Sequence, residues 1–222
     1  MNLWKPCFSR SGFTRLELLV LLGVFGLSGA IVLPVFESNM CDGGRTKVVS
    51  NAKQIALALK IYAMDHDGRF PEARSNANEA FQQLLPDYVS SKLAFVARRS
   101  PWVSDYPDKA DFVKPQLAGG ENAFAYVCGL NSASNPEFPL VAEGFVEGNP
   151  GVYTFNPQLK GGVGRERQAV VVRVDGTGRF ERVSRWDYRV YKKTGLFRKM
   201  DIFAPASGWL TADQVPLNPA SE

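Results

Sequence analysis

Histidine and cysteine are scarce in this sequence, and their scarcity excludes several classes of site. The chain has 222 residues, with one histidine, His66, and three cysteines. A single histidine rules out a multi-histidine metal centre and argues against a His-dependent triad, and three cysteines are too few for a disulfide-dense scaffold. Lysine and arginine exceed aspartate and glutamate by only 26 to 22, too small an excess to indicate nucleic-acid binding. These counts argue against much enzyme chemistry, and we expect no nucleic-acid partner.

The longest apolar run lies close to the N-terminus. Residues 18–36 contain no charged side chain, and these 19 residues span about 28 Å as a helix, roughly the hydrocarbon thickness of a bilayer. Lys5, Arg10 and Arg15 precede the run, so the positive-inside rule places the N-terminus in the cytoplasm and the rest of the chain outside. We expect a transmembrane helix here, with a buried core helix as the alternative.

A second alternative is a cleavable secretory signal with the small-residue site Ser28-Gly29-Ala30. Cleavage near Ala30 would release an exported soluble binding module that starts at Ile31. The apolar run continues past this site to Phe36, which favours an uncleaved helix. At the other edge of the run, the carboxylate of Glu17 is costly in lipid unless it is paired, so its presence indicates a function.

The residues around Glu17 form a motif that is found in a known family. The sequence Gly12-Phe13-Thr14-Arg15-Leu16-Glu17-Leu18-Leu19-Val20 resembles the leader junction of type IV pilins and pseudopilins. The resemblance implies that a prepilin peptidase cuts between Gly12 and Phe13, and that Phe13 is then N-methylated. It also implies that Glu17, the fifth residue after the cut, pairs with the terminal amine of a neighbouring subunit during assembly. Pro34 stands where many pilins have a proline that kinks the helix.

The resemblance also implies a domain organisation and a set of partners. Residues 1–12 would be the leader peptide, 13–36 the transmembrane and assembly helix, and 37–222 an extracytoplasmic pilin-like head with a peripheral tail at 185–222. The protein would span the inner (cytoplasmic) membrane once, with its head in the periplasm. Its partners would be the prepilin peptidase, membrane lipid, homologous pilin-like subunits and the inner-membrane assembly platform. The function implied is that of a structural subunit in a type II secretion-like or type IV pilus-like filament, which is not an enzyme and for which we expect no metal and no cofactor.

Beyond the apolar run, the sequence predicts an α+β head that starts with a helix. Apolar residues recur at helical spacing over residues 46–64, and Gly68 supplies a stop signal after them. Because glycine disfavours helix, we expect Gly43-Gly44 to interrupt the long helix between the anchor and the head. Residues 62–71 resemble the end of the long helix in major pseudopilins of type II secretion.

The sequence of the rest of the head predicts an antiparallel sheet that covers the apolar stripe of the long helix. Before it, Asn76 and Glu79 form a capping signal for a short helix that extends to Leu85. Asp175-Gly176-Thr177-Gly178 is a hairpin signal between two runs of alternating apolar residues. The predicted strands are 93–96, 124–130, 140–143, 152–155, 169–174 and 179–183.

Three groups of polar residues in the head are candidate sites. Asp65, His66 and Asp67 begin like a calcium loop, but no glutamate follows at the required spacing, so we interpret them as a helix end. For Cys41 and Cys128 the sequence leaves three alternatives, which are an intramolecular disulfide, a buried free thiol and an intermolecular crosslink. Seven arginines predict a solvated sheet face, with a DNA-binding patch as the alternative. They are Arg165, Arg167, Arg173, Arg179, Arg182, Arg185 and Arg189.

Overall fold

The chain divides into two units, residues 1–44 and 45–222, in the computed structural model. The structure describes residues 15–97, 100–104, 116–164, 166–194, 198–205 and 209–221. Within these ranges it describes no side chain for Glu17, Thr194, Arg198 or residues 23–43. Helix α1, Arg15–Asp65, begins in the first unit and ends in the second.

Helix α1 contains no break at Gly43-Gly44, so the predicted interruption is wrong. Two glycines cost a helix about 2 kcal/mol in propensity, but they remove none of its backbone hydrogen bonds. The predicted end of the helix is confirmed: Gly68 has a φ of 79° and its N–H donates to the carbonyl of Ala63 at 2.7 Å. Among the residues that the structure describes, none of the helices combines the length and the apolar composition that crossing a membrane requires.

Two short helices follow α1 in the part of the chain that the structure describes. Helix α2 is Ala77–Gln82, and its predicted cap is confirmed because the Glu79 N–H donates to the Asn76 side chain at 3.2 Å. The helix ends three residues before the predicted Leu85. A 3₁₀ helix, Lys92–Phe95, stands where a strand was predicted over 93–96. An apolar run of four residues suits a strand or a helical turn equally, and here the Ser91 side chain caps the turn.

The main sheet has five antiparallel strands in the order β4-β3-β2-β1-β7, and a separate pair joins β5 to β6. The predicted hairpin at 175–178 joins β3 to β4, which confirms it. The predicted strand at 152–155 is wrong, because only an isolated bridge from Thr154 to Gly162 forms there. The strands are β1 Phe124–Cys128, β2 Pro139–Glu143, β3 Gln168–Arg173, β4 Gly178–Arg182, β5 Tyr191–Thr194, β6 Arg198–Asp201 and β7 Val215–Leu217.

The segment 185–222 is not a peripheral tail in its described part, which corrects the sequence-based interpretation. Strand β7 pairs with β1, so that Pro216 lies opposite Val127 at the edge of the main sheet. An edge strand tolerates proline because one side of its backbone has no partner to bond. Ile202 and Phe203, which follow β6, are buried in the core. The last strand of the sheet therefore comes from the segment that was interpreted from the sequence as a peripheral tail.

The core of the second unit lies between the sheet and one face of α1. The buried residues of this helix face recur at the spacing that the sequence predicted, and they share one apolar cluster with the side chains of β1, β2 and β3. On α1 they are Val48, Ala52, Ile55, Ala56, Ala58, Leu59 and Ala63. The structure thus confirms an α+β head with an antiparallel sheet against the long helix, as expected for a pilin-like fold.

Asn51 is a buried polar residue within this apolar face of α1. Its side-chain amide donates to the backbone carbonyls of Leu93 at 3.1 Å and of Val96 at 2.8 Å. Both carbonyls lie at the end of the 3₁₀ helix, where the Leu93 carbonyl also accepts the Val96 N–H at 3.4 Å and the Val96 carbonyl lies beyond the last helical residue. A single side chain of α1 therefore fixes the position of the segment that follows α2.

Candidate functional site

The four residues predicted for processing and assembly lie where the structure describes little. Gly12 and Phe13 are outside the described residues. Glu17 and Pro34 belong to α1, but their side chains are outside the described part. Cleavage at Gly12, methylation of Phe13 and the assembly roles of Glu17 and Pro34 therefore stay predictions.

The N-terminal end of α1 carries apolar side chains that the chain leaves uncovered. Leu16 and the five described side chains at 18–22 are between 41% and 74% exposed. Soluble monomers rarely expose a contiguous apolar patch of this kind, and such a patch marks an interaction with lipid or with another protein. This end of α1 therefore needs a cover that the described chain does not supply.

The C-terminal end of α1 forms an aromatic cluster. The rings of Tyr62 and His66 stack with centroids 3.7 Å apart, and Tyr88 packs edge-on against Tyr62 at 5.4 Å. The Tyr88 hydroxyl donates to Asp65 at 3.0 Å. Desolvation, this hydrogen bond and the nearby charge of Asp87 raise the pKa of Tyr88. Over the described ranges, no three acidic, histidine or cysteine side chains come together as metal ligands do.

An open groove runs along the exposed side of α1 in the second unit. It has a volume of about 350 Å³ and lies between α1 and the segment 88–94. Its lining includes Leu57 and Ile61, which are 58% and 43% exposed although both are large and apolar. The polar residues of the lining are Lys47, Asn51, Gln54, Ser90 and Ser91. Asp65 and Asp87 are both exposed at the end of the groove where Tyr88 lies, and that end is therefore acidic.

The seven arginines divide into paired and unpaired residues. Arg173 bonds Glu181 at 2.5 Å and Arg189 bonds Asp201 at 2.6 Å, so both serve the fold. Arg167 is half-buried over the ring of Phe155, and Arg165 is outside the described residues. The other three are exposed and form no ion pair with any described residue, as predicted for a solvated face. They are Arg179, Arg182 and Arg185.

The turn that follows β4 presents a tryptophan to solvent. Trp186 is 95% exposed, although the turn that carries it is held in place on both sides. The Ser184 N–H donates to the Arg189 carbonyl at 2.8 Å, and the Tyr153 N–H donates to the Tyr188 carbonyl at 2.8 Å. A hydrogen bond between Asp187 and Tyr191 raises the pKa of Tyr191 to about 12. An apolar side chain on an ordered turn is a typical anchor of a protein interface.

Cys128 is a free thiol at the end of β1, and its Sγ lies 3.2 Å from the carbonyl oxygen of Ala73. The side chain of Cys41 is not among those described. Of the two thiols, the structure therefore assigns only Cys128 a place in the fold.

Sequence reasoning did not find the groove or the exposed tryptophan. The groove forms because residues 88–94 pack beside α1, which no local pattern specifies. Trp186 carried a weak signal, since it stands in the polar sequence Ser184-Arg185-Trp186-Asp187-Tyr188 between two strands. The same composition also fits a tryptophan that packs back onto the sheet. The exposure of Trp186 could therefore be established only from the structure.

Comparison with known proteins identifies relatives over part of the chain. This chain is 35% identical over 115 residues to the type II secretion system core protein G of Klebsiella michiganensis. That alignment covers 44% of this chain and 72% of the relative. The protein of the same name from Klebsiella pneumoniae is 29% identical over 104 residues, which cover 71% of that relative and 43% of this chain. The one from Pectobacterium carotovorum is 25% identical over 104 residues, which cover 66% of that relative and 45% of this chain. No family model and no solved structure matches the chain. The identity and coverage of these relatives, together with the pilin-like motif and the α+β head, show that the chain belongs to the type II secretion core protein G family of pseudopilins.

Proposed function

We propose that this protein is a structural subunit of a type II secretion filament, anchored in the inner membrane and carrying its head in the periplasm. The observation that carries the proposal is the uncovered apolar end of α1 in a member of a pseudopilin family. Neighbouring apolar helices and lipid would cover these side chains in a membrane-based assembly, which water cannot do. The chain acts as a building block and not as an enzyme in this proposal.

The membrane anchor in this proposal is the segment 13–36. Its support is the uncharged run 18–36, which has the length of a bilayer-spanning helix and is preceded by positive charge. Gly23, Gly26 and Gly29 lie on this run and would allow neighbouring helices to approach closely. Protease protection of the chain in spheroplasts tests the topology. The head should be digested from the periplasmic side, and a head that is protected there would contradict the proposed orientation.

Processing would take place between Gly12 and Phe13, by a prepilin peptidase on the cytoplasmic side. The N-terminal mass of the mature protein from its native host tests this step. We expect a chain that begins with N-methylated Phe13, and Gly12→Ala should leave the leader attached. A mature chain that begins at Ile31 would instead establish the second candidate, an exported soluble binding module, because only that candidate requires cleavage near Ala30.

Assembly would depend on Glu17. A carboxylate within an apolar environment costs several kcal/mol unless it is paired, and the amine of Phe13 in a neighbouring subunit would supply the partner. Pairing is then complete only in the filament, which gives the filament its register. We expect Glu17→Ala to insert normally in the membrane but to yield few filaments, and Glu17→Asp to retain part of the yield. Normal filaments from Glu17→Ala would contradict this role.

The remaining partners follow from the same proposal. The prepilin peptidase would act on the leader, the inner-membrane assembly platform would receive the anchored subunit, and other pseudopilins would contact its head and anchor. Affinity capture of the full chain from solubilised membranes tests these partners, with Glu17→Ala as the matched control. The platform and peptidase should be captured with both chains, whereas other pseudopilins should be depleted with the variant. Equal capture of pseudopilins by both chains would contradict a role of Glu17 in subunit contact.

A further inference from the structure

Two features of the second unit are complementary, but they do not contact each other within one chain. The first is the indole of Trp186, which is 95% exposed and therefore lies in no groove of its own chain. The second is the groove of about 350 Å³ whose apolar lining includes Leu57 and Ile61. We propose that Trp186 inserts into this groove on a second copy of the chain, against Leu57 and Ile61 of that copy.

The apolar chemistry of the two features matches. A buried tryptophan removes about 150–250 Å² of surface from water, which makes it one of the strongest anchors available to an interface. The groove is open along α1 and offers apolar side chains on both sides, with Ala94 and Val89 facing the helix residues. An indole placed there would cover Leu57 and Ile61, which are the large apolar side chains that α1 otherwise leaves in water at this position.

The turn that carries Trp186 is ordered before any partner binds. Val183 and Val190 form a bridge at its base, and the ring of Tyr188 packs against Phe155 with centroids 5.0 Å apart. The backbone N–H of Trp186 itself donates to the Ser184 hydroxyl at 3.3 Å. Such an arrangement reduces the entropy that association costs, since little of the turn needs to be ordered on binding.

Charge favours a second copy as the occupant. Arg182 ends β4 and Arg185 lies in the turn directly before Trp186. Both are exposed and form no ion pair with a described residue. The groove ends beside Tyr88, where Asp65 and Asp87 make the surface acidic. Lys47 lines the groove too, roughly three to four helical turns from Ile61, and Asp187 beside Trp186 is hydrogen-bonded to Tyr191. Insertion with Arg182 and Arg185 toward the Tyr88 end would bring positive charge from one copy to negative charge on the other and keep it away from Lys47. Complementary charge of this kind directs the encounter and selects the orientation.

The contact uses different surfaces on the two copies, so it is heterologous. A heterologous contact repeats from copy to copy and produces either a closed ring or an open helical filament. This inference rests on the proposed function, in which the subunits form a filament, and it names a contact between heads within it. The groove of each copy would receive the tryptophan of the next.

Photocrosslinking in the intact chain tests the contact directly. A benzophenone amino acid is placed at position 186 of the full-length protein in cells that assemble it, and the same amino acid at the exposed Leu159 serves as the control. We expect an adduct of two chains from position 186 alone, with the crosslinked peptide mapped to 57–61 or 88–94. An adduct with lipid, with a different protein, or with another surface of a second copy would overturn the proposal.

A charge reversal supplies an independent readout. Arg185→Glu should lower the filament yield by about tenfold, and the added change Asp87→Arg should restore it because the pair would meet again with reversed signs. Trp186→Ala should lower the yield by a similar factor or more, and Trp186→Phe should retain most of it. These residues are exposed, so the variants are expected to fold. An Arg185→Glu defect that Asp87→Arg leaves unchanged would contradict the contact.

The outcomes separate this contact from the proposed function. If the unmodified chain assembles no filament in its native host, the proposed function fails, and this contact fails with it. If filaments form and depend on Glu17 while Trp186→Ala assembles normally, the contact between heads is wrong and the filament proposal stands.

Discussion

Replacing Lys92 by methionine should destabilise the head strongly, because it removes one member of a buried ion pair. The Nζ of Lys92 lies 2.9 Å from both carboxylate oxygens of Glu121, and the two side chains are only 7% and 6% exposed. The Ala118 N–H also donates to Glu121 at 2.8 Å. In Lys92→Met the carboxylate would keep this amide but lose its only described cation, while remaining buried.

The expected magnitude follows from that burial. Removing one partner of a buried ion pair costs about 3–5 kcal/mol, whereas an exposed pair contributes about 1 kcal/mol or less. For a protein of this size, about 3–5 kcal/mol corresponds to a fall in Tm of about 6–20 °C. Urea unfolding of the full chain in detergent, followed by circular dichroism, measures the free energy of unfolding for each variant.

Two further variants make the reasoning refutable. In Lys92→Met/Glu121→Gln no charge remains buried, so the double variant should recover at least about 1 kcal/mol relative to Lys92→Met. Lys160→Met is the matched control, since Lys160 pairs with Glu147 at 3.0 Å and the two side chains are 29% and 54% exposed; it should cost about 1 kcal/mol or less. Equal losses for Lys92→Met and Lys160→Met, or no recovery in the double variant, would refute the argument.

Three other substitutions test separate features of the head. Asn51→Ala removes the described donor of the Val96 carbonyl, while the Leu93 carbonyl keeps the Val96 N–H, and should lower the free energy of unfolding by about 1–3 kcal/mol in the same urea assay. Burial raises the pKa of Glu143, so the folded protein loses stability as the pH rises from the ordinary value of 4.5 through the raised one. Glu143→Gln should remove that loss, and its advantage in Tm over the unmodified chain should grow from about pH 4 to about pH 7; a constant advantage would contradict this sign. Gly129 has a φ of 82° and a Cβ there would collide with the backbone oxygen of Asp213, whereas Gly148 has a φ of 75° and open space around it. Gly129→Ala should therefore cost at least about 1 kcal/mol more than Gly148→Ala in thermal unfolding, and equal costs would exclude close packing of that segment on β1.

Local patterns in the sequence determined the elements whose causes are themselves local. The spacing of Val48, Ala52 and Ile55 repeats with the period of a helix, and the structure buries the face that they share. Asn76 caps α2 through its own side chain, and the turn at 175–178 joins two neighbouring strands. Each of these signals acts over a few residues, so no knowledge of the rest of the chain was needed. The leader motif and the family assignment were likewise contained in a short stretch of sequence.

Only the tertiary structure decided the features that depend on distant residues. Strand β7 forms because it pairs with the free edge of β1, which lies nearly ninety residues earlier in the chain. The proline-containing sequence of this segment does not indicate such a pairing. The residues at 92–95 form a 3₁₀ helix because Ser91 caps them and Asn51 of α1 binds the carbonyls at their end. The exposure of Trp186 and the open groove at Leu57 are likewise results of packing. Hydrophobic burial is non-directional, so composition and periodicity specify that an apolar side chain needs a cover, and the fold alone decides which side chains receive it.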